Sequence, residues 1–241
     1  MYLREFDLDL PYVANEDKIL EIIESKKCTR DEATRIDYEA NWKEKRLTFR
    51  LQTRCISAMF ERIFGKIATK DCRKMLVECI DVVKENRVLN FSGVYTVQIE
   101  FDFDRFALSE NFIKKKMTLE LLMEGIRVIS KKINLSVDPF EMVALKIREM
   151  DYSNEWAWRK PIKSPDKKYI AEVICQHEVS NIDISIIVYD KLGVEIAREK
   201  IISELPDEFA YAKHLGELKW ISNNEISLVN KKGDNSWMVK L

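Results

Sequence analysis

The segment that most restricts the fold is residues 94–104, in which apolar and polar side chains alternate. Successive side chains of an extended chain point to opposite faces, so the pattern predicts a strand with one apolar and one polar face. The apolar face consists of Val97, Ile99, Phe101 and Phe103, and the polar face consists of Gln98, Glu100, Asp102 and Asp104. Such a strand belongs in a sheet that is covered on one side and exposed to water on the other.

The first ten residues repeat this arrangement. Their apolar residues are Leu3, Phe6, Leu8 and Leu10, and the acidic residues Glu5, Asp7 and Asp9 lie between them. We therefore expect a second strand with its carboxylates on the face exposed to water. A third alternating stretch contains Leu47, Phe49 and Leu51, separated by basic and polar residues, and predicts a strand with a basic face.

Other stretches show the signals of helices. Asn15 precedes acidic residues and an apolar stripe, as an N-cap does. Apolar residues recur at helical spacing from Ser109 to about Asn134, and Asp138-Pro139 is a typical helix start. Residues 29–42 fit either a strand or a helix that a capping box would begin, and we favour a helix at the start of this stretch. Residues 55–83 mix both periods and stay unassigned.

Residues 156–241 consist of strand-like runs separated by polar turns, which predicts a meander. Ser92-Gly93, between two strand-like runs, predicts a hairpin earlier in the chain. The predicted fold class is therefore α+β. Residues 1–155 would form an antiparallel sheet backed on one face by two or three helices, and residues 156–241 would form an all-β meander packed against it.

Two segments of the meander resemble the repeated turn-and-strand pattern of TolB-type β-propeller blades. They are residues 164–171, Ser-Pro-Asp-Lys-Lys-Tyr-Ile-Ala, and residues 219–226, Lys-Trp-Ile-Ser-Asn-Asn-Glu-Ile. The resemblance carries no functional residue, and a propeller needs about four or more blades to close. We interpret it as shared hairpin chemistry.

Charge and cysteine content restrict the compartment and the partners. Lys+Arg 40 against Asp+Glu 41 give a net charge of −1, so no overall field attracts nucleic acid or an anionic membrane. The five cysteines form no CxxC pair and are expected to be reduced, mostly buried residues. The N-terminus lacks a signal-peptide pattern, and no apolar run reaches the ~18 residues that span a bilayer. We expect a cytoplasmic protein that binds neither nucleic acid nor a membrane.

Motifs for cofactors and catalysis are scarce. No two of the six glycines lie close together, whereas phosphate-binding loops need several within a few residues. The two histidines, His177 and His214, have no second metal-ligand residue at a typical spacing. We therefore expect no cofactor and no metal, and we assign no catalytic residue.

The acidic rows are the main candidate site. A carboxylate face can be solvated or ion-paired surface, a docking face for a protein, or a metal site, and we favour these in that order. Trp156 and Trp158 share a face if extended, as interface anchors or as a wedge between domains. The candidate partner-binding residues are Glu5, Asp7, Asp9, Glu100, Asp102, Asp104, Trp156 and Trp158.

These observations favour a non-enzymatic cytosolic module that binds another protein, in the simplest case one with a basic surface. A bacterial immunity-type protein that neutralises a partner toxin has this size and composition. The alternative is a divalent-metal-dependent phosphodiester hydrolase with Glu100, Asp102 and Asp104 as ligands. The sequence assigns no oligomeric state.

Overall fold

The computed structural model of the chain describes residues 1–83 and 87–241. Its contacts divide these residues into two units, Met1–Tyr152 and Ser153–Leu241. The predicted α+β class, with an antiparallel meander in the C-terminal part, is confirmed. The division into separate domains at residues 155 and 156 stays a prediction.

The first unit combines helices with short strands. Its described helices are α1 (Glu16–Lys26), α2 (Arg30–Asn41), α3 (Lys43–Phe64), α4 (Phe103–Leu108), α5 (Asn111–Ile133) and α6 (Asp138–Glu149). Its described strands are β1 (Tyr2–Leu3), β2 (Glu5–Asp9), β3 (Ile67–Ala68), β4 (Lys74–Ile80), β5 (Val88–Phe91) and β6 (Val94–Glu100). Among the helices of the described ranges, none has both the length and the apolar character that crossing a membrane requires.

The main sheet of this unit has the strand order β2-β4-β6-β5. β5 and β6 pair antiparallel, as predicted, but β2 pairs with β4 and β4 pairs with β6 in parallel. The purely antiparallel pairing predicted for this sheet is therefore wrong. A parallel pair needs a long crossover connection, and α1, α2 and α3 supply it between β2 and β4.

Burial alternates along β2 and β6, as the sequence pattern predicted, and also along β4, which lies in the unassigned stretch 55–83. The buried side chains, including Phe6, Val77 and Val97, lie on the sheet face that packs against helices. α5 approaches β4 so closely that a Cβ atom added to Gly125 would lie 2.3 Å from Cγ2 of Val77. A glycine is therefore required where this helix meets the sheet.

The helix signals were read correctly in most places. Asn15 caps α1 by accepting the N–H of Lys18, and Thr29 with Glu32 forms the capping box of α2. The stretch 29–42 thus contains helix α2 between its caps, and α5 fills most of the predicted helical stretch from Ser109 to Asn134. At α6 the helix begins at Asp138 itself, since the N-cap is Val137.

The strand predicted at Leu47, Phe49 and Leu51 is wrong, because these residues lie inside the 22-residue helix α3. The buried residues of α3 include Phe49, Thr53, Ile56 and Phe60, spaced three or four apart. That spacing is the helical period. The apolar–polar alternation of residues 46–52 is only seven residues long, and it resembles a strand pattern by coincidence.

The hairpin predicted at Ser92-Gly93 is confirmed. Ser92 and Gly93 have φ angles of 51° and 83°, as a type I′ turn requires. The following strand ends at Glu100, whereas the sequence pattern predicted a strand up to residue 104. Asp102 is the N-cap of α4, and Asp104 lies in the first turn of this helix, so both predicted strand positions are wrong.

The second unit is built almost entirely from antiparallel strands. They are β7 (Glu155–Ala157), β8 (Ile162–Lys163), β9 (Tyr169–His177), β10 (Ile182–Asp190), β11 (Glu195–Glu204), β12 (Glu217–Trp220), β13 (Glu225–Val229) and β14 (Ser236–Lys240), with one short helix, α7 (Glu208–Tyr211). The first five strands form one sheet, with β11 at its edge, and the last three form another. One apolar core, which includes Val173, Ile184 and Leu228, serves both sheets.

Candidate functional site

The acidic row of β2 is largely neutralised by neighbouring cations. Arg46 of α3 makes a two-pronged ion pair with Asp9, with Nε 2.8 Å from Oδ1. This hydrogen bonding holds the pKa of the Arg46 guanidinium above its ordinary value. Asp7 contacts both Arg54, at 3.1 Å, and Lys74. The more exposed Glu5 lies 3.6 Å from Arg4.

The outer edge of β2 is covered by α3. Oε1 of Glu61 accepts the backbone N–H of Phe6 at 2.8 Å, and Oε2 accepts a hydrogen bond from Arg54 at 2.8 Å. Burial raises the pKa of Glu61, and the hydrogen bond from Arg54 opposes that shift. The β2 row is therefore part of the contact between the sheet and α3, and it is not a free acidic face.

The acidic residues near the end of β6 have a different environment. Glu100, Asp102 and Asp104 line one cavity of about 330 Å³, together with Asp81 and Lys45. A second cavity of about 220 Å³ shares Glu100, Phe101 and Asp102 with the first. Its other lining residues are Arg105, Met117, Glu120, Leu121 and Glu124. We call these two adjoining cavities the acidic groove.

The local fold explains why these carboxylates gather. The N–H of Phe101 donates to the carbonyl of Ile80 at 2.8 Å, which holds the end of β6 beside the end of β4. Phe101 is buried against Phe49 and Phe106, with ring centroids 5.2 Å and 5.5 Å away. Oδ1 of Asp102 then accepts the N–H of Arg105 at 2.9 Å and caps α4. The turn from strand to helix thus fixes the positions of the acidic residues around Phe101.

Lys45 of α3 contributes a positive charge to the first cavity. Its Nζ lies 4.0 Å from the centre of the Phe103 ring and 4.8 Å from the centre of the Trp42 ring. The Trp42 ring is itself held by a hydrogen bond from Nε1 to the carbonyl of Leu10 at 3.2 Å. Aromatic faces attract cations at these distances. The groove therefore already holds one ammonium group on aromatic rings.

The charge of the acidic groove is strongly unbalanced. Among the described residues, six carboxylates line it against two cations, Lys45 and Arg105. It lies at the carboxyl ends of β4 and β6, and in sheets with parallel strands ligands commonly bind at that end. Within residues 1–83 and 87–241, no group of three or more His, Cys, Asp or Glu residues has an arrangement that could hold a metal ion. The geometry suits an extended cationic ligand.

Sequence reasoning missed several residues of the groove. Asp81 directly follows β4, within residues 55–83, for which the sequence analysis predicts no element. Met75, Val77 and Cys79 alternate there with less apolar positions, as in a half-buried strand. Glu120 and Glu124 are four residues apart on α5 and share a helix face. Both signals were present in the sequence, but these residues come together only because β4 pairs with β6 and α5 packs on both strands.

Trp156 and Trp158 belong to the second unit and pack, partly buried, against its apolar core. Trp156 lies in β7 opposite Cys175 of β9, and the N–H of Trp158 donates to the carbonyl of Val173 at 2.8 Å. The guanidinium carbon of Arg159 lies 4.2 Å from the centre of the Trp158 ring. Much of both rings is thus used in packing within this unit.

Comparisons with protein-family models, with curated proteins and with solved structures find no match for this chain.

Proposed function

We propose that the chain is a non-enzymatic cytosolic binding protein whose acidic groove receives a basic segment of another protein. The observation that carries this proposal is the charge of the groove, where six carboxylates face two cations among the described residues. Complementary charge steers a basic partner to such a surface and disfavours acidic ones. Neutralisation of a basic toxin, in the manner of an immunity protein, would be one form of this function.

The lining of the groove also suits the stems of lysine and arginine. These side chains bury their methylene groups on apolar surface and keep the charge near water or a carboxylate. Met117 and Leu121 provide apolar surface next to Glu120 and Glu124. Phe103 and Trp42 show, by their contact with Lys45, that aromatic faces near Asp104 accept an ammonium group.

The cysteines support the compartment in this proposal. All five are free thiols, and four of them are buried. Free buried thiols are common in the reducing cytosol, where disulfides are rare. Burial raises the pKa of Cys72 to about 11, which keeps this thiol protonated and unreactive.

A labelled peptide of about ten residues that alternates Arg and Ser is a suitable probe. We expect fluorescence polarisation to detect binding that weakens strongly between low salt and roughly 0.15 M salt. Replacing both Glu100 and Glu124 with Gln keeps the side-chain shape and removes two charges from the groove. Since an exposed ion pair contributes about 0.5 kcal/mol, the double variant should bind about fivefold more weakly.

Glu21→Gln/Glu24→Gln is a matched control, because it removes two exposed charges from α1. The control should bind the peptide as the unmodified protein does, apart from the effect of net charge. Equal weakening by both double variants would contradict docking in the groove. Equal binding of a peptide in which Glu replaces Arg would do the same.

The alternative prediction, a metal-dependent phosphodiester hydrolase, has a separate test. A saturable heat on calorimetric titration with Mg²⁺ or Mn²⁺, lost in the Asp102→Asn variant, would favour it. The absence of heat at millimolar metal would count against it.

A further inference from the structure

β5 forms one edge of the main sheet of the first unit. In residues 1–83 and 87–241, no strand pairs with its outer side. Its sequence, Val-Leu-Asn-Phe, contains neither a charged residue nor a proline. Leu89 is 52% exposed and Phe91 is 83% exposed. An edge strand of this kind offers free backbone groups together with apolar side chains.

Two other edge strands of the described residues, β2 and β11, are protected in ways that β5 is not. At the opposite edge of the same sheet, Glu61 of α3 accepts the N–H of Phe6. One edge strand of the second unit, β11, has charged side chains at five of its ten positions and two register shifts against β10. Charges, irregular pairing and cover by another element are the devices that block strand addition. β5 has none of these among the described residues.

The hairpin turn determines which backbone groups of β5 point outward. Phe91 and Val94 flank the two-residue turn and form a hydrogen-bonded pair. Pairs with and without backbone hydrogen bonds alternate along an antiparallel ladder, so Leu89 and Thr96 are the next pair joined by backbone hydrogen bonds. The N–H and C=O groups of Val88 and Asn90 therefore point away from β6 and can pair with a further strand.

The two sides of β5 differ in chemistry. Leu89 and Phe91 lie on the face away from the helices. Val88 lies in the same row as Val97 and Val77, on the face covered by α5. On that side β5 borders a groove of about 490 Å³, lined among the described residues by Arg87, Val88, Val128, Lys131 and Lys132. We call it the basic groove, because Lys131 and Lys132 of α5 lie in its wall.

We propose that β5 accepts an extended segment of another protein in which acidic residues alternate with apolar ones. The backbone of that segment would pair with Val88 and Asn90 and lengthen the sheet. Its acidic side chains would lie over Lys131 and Lys132, and its apolar side chains would pack beside Leu89 and Phe91. Alternation follows from the geometry, because successive residues of a strand point to opposite faces.

A second copy of this chain is a poorer occupant. Antiparallel pairing of two β5 strands about a two-fold axis keeps the α5 sides of both copies on the same face. That arrangement brings the two basic grooves together, and like charges repel. Charge complementarity therefore favours an acidic partner.

The test uses the whole chain and a labelled peptide of about eight residues that alternates Glu and Val. Polarisation should detect binding of this peptide and not of one in which Lys replaces Glu. In nitrogen-edited NMR spectra, the largest changes should fall on the amides of Val88 and Asn90. Methylating alternate backbone nitrogens of the peptide, on the edge that faces β5, should abolish binding. Absence of binding at millimolar peptide, or amide changes confined to other regions, would overturn the proposal.

Two variants separate the contributions of charge and backbone. Lys131→Gln/Lys132→Gln should weaken binding about fivefold. The matched control is Lys231→Gln/Lys232→Gln, which also removes two adjacent lysines and should leave binding nearly unchanged. Val88→Pro removes one outward N–H and is tolerated on an edge strand, so it should weaken binding about tenfold without unfolding the protein. Thermal unfolding checks the fold of each variant. Unchanged affinity in both variants would overturn the proposal, as would concentration-dependent dimerisation that Val88→Pro abolishes while the peptide fails to bind.

Discussion

Oε1 of Glu61 accepts the backbone N–H of Phe6 at 2.8 Å, although the two residues are 55 positions apart. The side chain of a helix thus takes the place of a neighbouring strand at the edge of β2. Glu61→Ala should lower the free energy of unfolding by about 2 kcal/mol, because it leaves a buried donor without an acceptor. Glu61→Gln retains an acceptor oxygen and should lose clearly less. Urea denaturation measures both values, and equal losses would show that the hydrogen bond contributes little.

Tyr12 gives a prediction on pH dependence. Its hydroxyl donates to Oδ2 of the buried Asp37 at 2.6 Å. Burial raises the pKa of Tyr12 to about 12, and the hydrogen bond to Asp37 acts in the same direction. Because the folded pKa lies above the ordinary value of 10.0, this stabilisation is complete below that pH and is lost as the pH rises towards 12.

Tyr12→Phe tests this dependence. Near neutral pH the variant should be about 1.5 kcal/mol less stable than the unmodified protein, and the difference should shrink at strongly alkaline pH. Tyrosinate absorbance should also show one late-titrating tyrosine fewer in the variant. A stability difference that does not change with pH would contradict the role given to the hydroxyl.

Asp102 both caps α4 and contributes charge to the acidic groove, and two variants distinguish these roles. Asp102→Ala removes the cap and the charge, and it should lower the free energy of unfolding by about 1 kcal/mol. Asp102→Asn keeps an oxygen acceptor for Arg105, so its stability should stay within about 0.3 kcal/mol. Both should bind the Arg-Ser peptide about twofold more weakly. If the Asn variant binds the peptide as tightly as the unmodified protein, Asp102 is only a cap.

Gly125 tests the contact between α5 and β4. Helix propensity alone favours alanine over glycine by about 1 kcal/mol. The added Cβ would lie 2.3 Å from Cγ2 of Val77, so Gly125→Ala should instead destabilise the protein by about 2 kcal/mol. Shortening the partner in Gly125→Ala/Val77→Ala should recover part of the loss. A stabilised single variant would contradict the close packing.

Much of the fold was predictable because its signals are local. The caps at Asn15 and Thr29, the turn at Ser92-Gly93 and the strands of the second unit each depend on a few adjacent residues. Such signals act within one turn or one hairpin. Local signals do not determine the order of the strands in a sheet. The parallel pairing of β2, β4 and β6 joins segments that are far apart in the chain, so it was not predicted.

Two predicted strand segments, the one around Phe49 and the end of β6, are wrong because a short stretch can fit the period of a strand and also belong to a helix. Around Phe49 the polar residues alternate, yet Arg46, Arg50 and Arg54 are also four residues apart, as on one helix face. After β6 ends at Glu100, Phe101 and Phe103 continue the apolar–polar alternation, although Asp102 between them is already the N-cap of α4. Of the predicted site residues, Glu100, Asp102 and Asp104 lie together in one cavity. They do so because the chain turns from β6 into α4, and not because they alternate along one strand.

The parallel pairing of β2 has a consequence during protein synthesis. Residues 5–9 are synthesised before their partners in β4 and before the helix that covers their edge. Until then Phe6 and Leu8 lack the neighbours that bury them, and exposed apolar segments associate with other unfinished chains. Glu5, Asp7 and Asp9 place a negative charge at every second position, which opposes that association. The carboxylates that form ion pairs in the folded protein thus also have the positions of gatekeeper charges while residues 5–9 are unpaired.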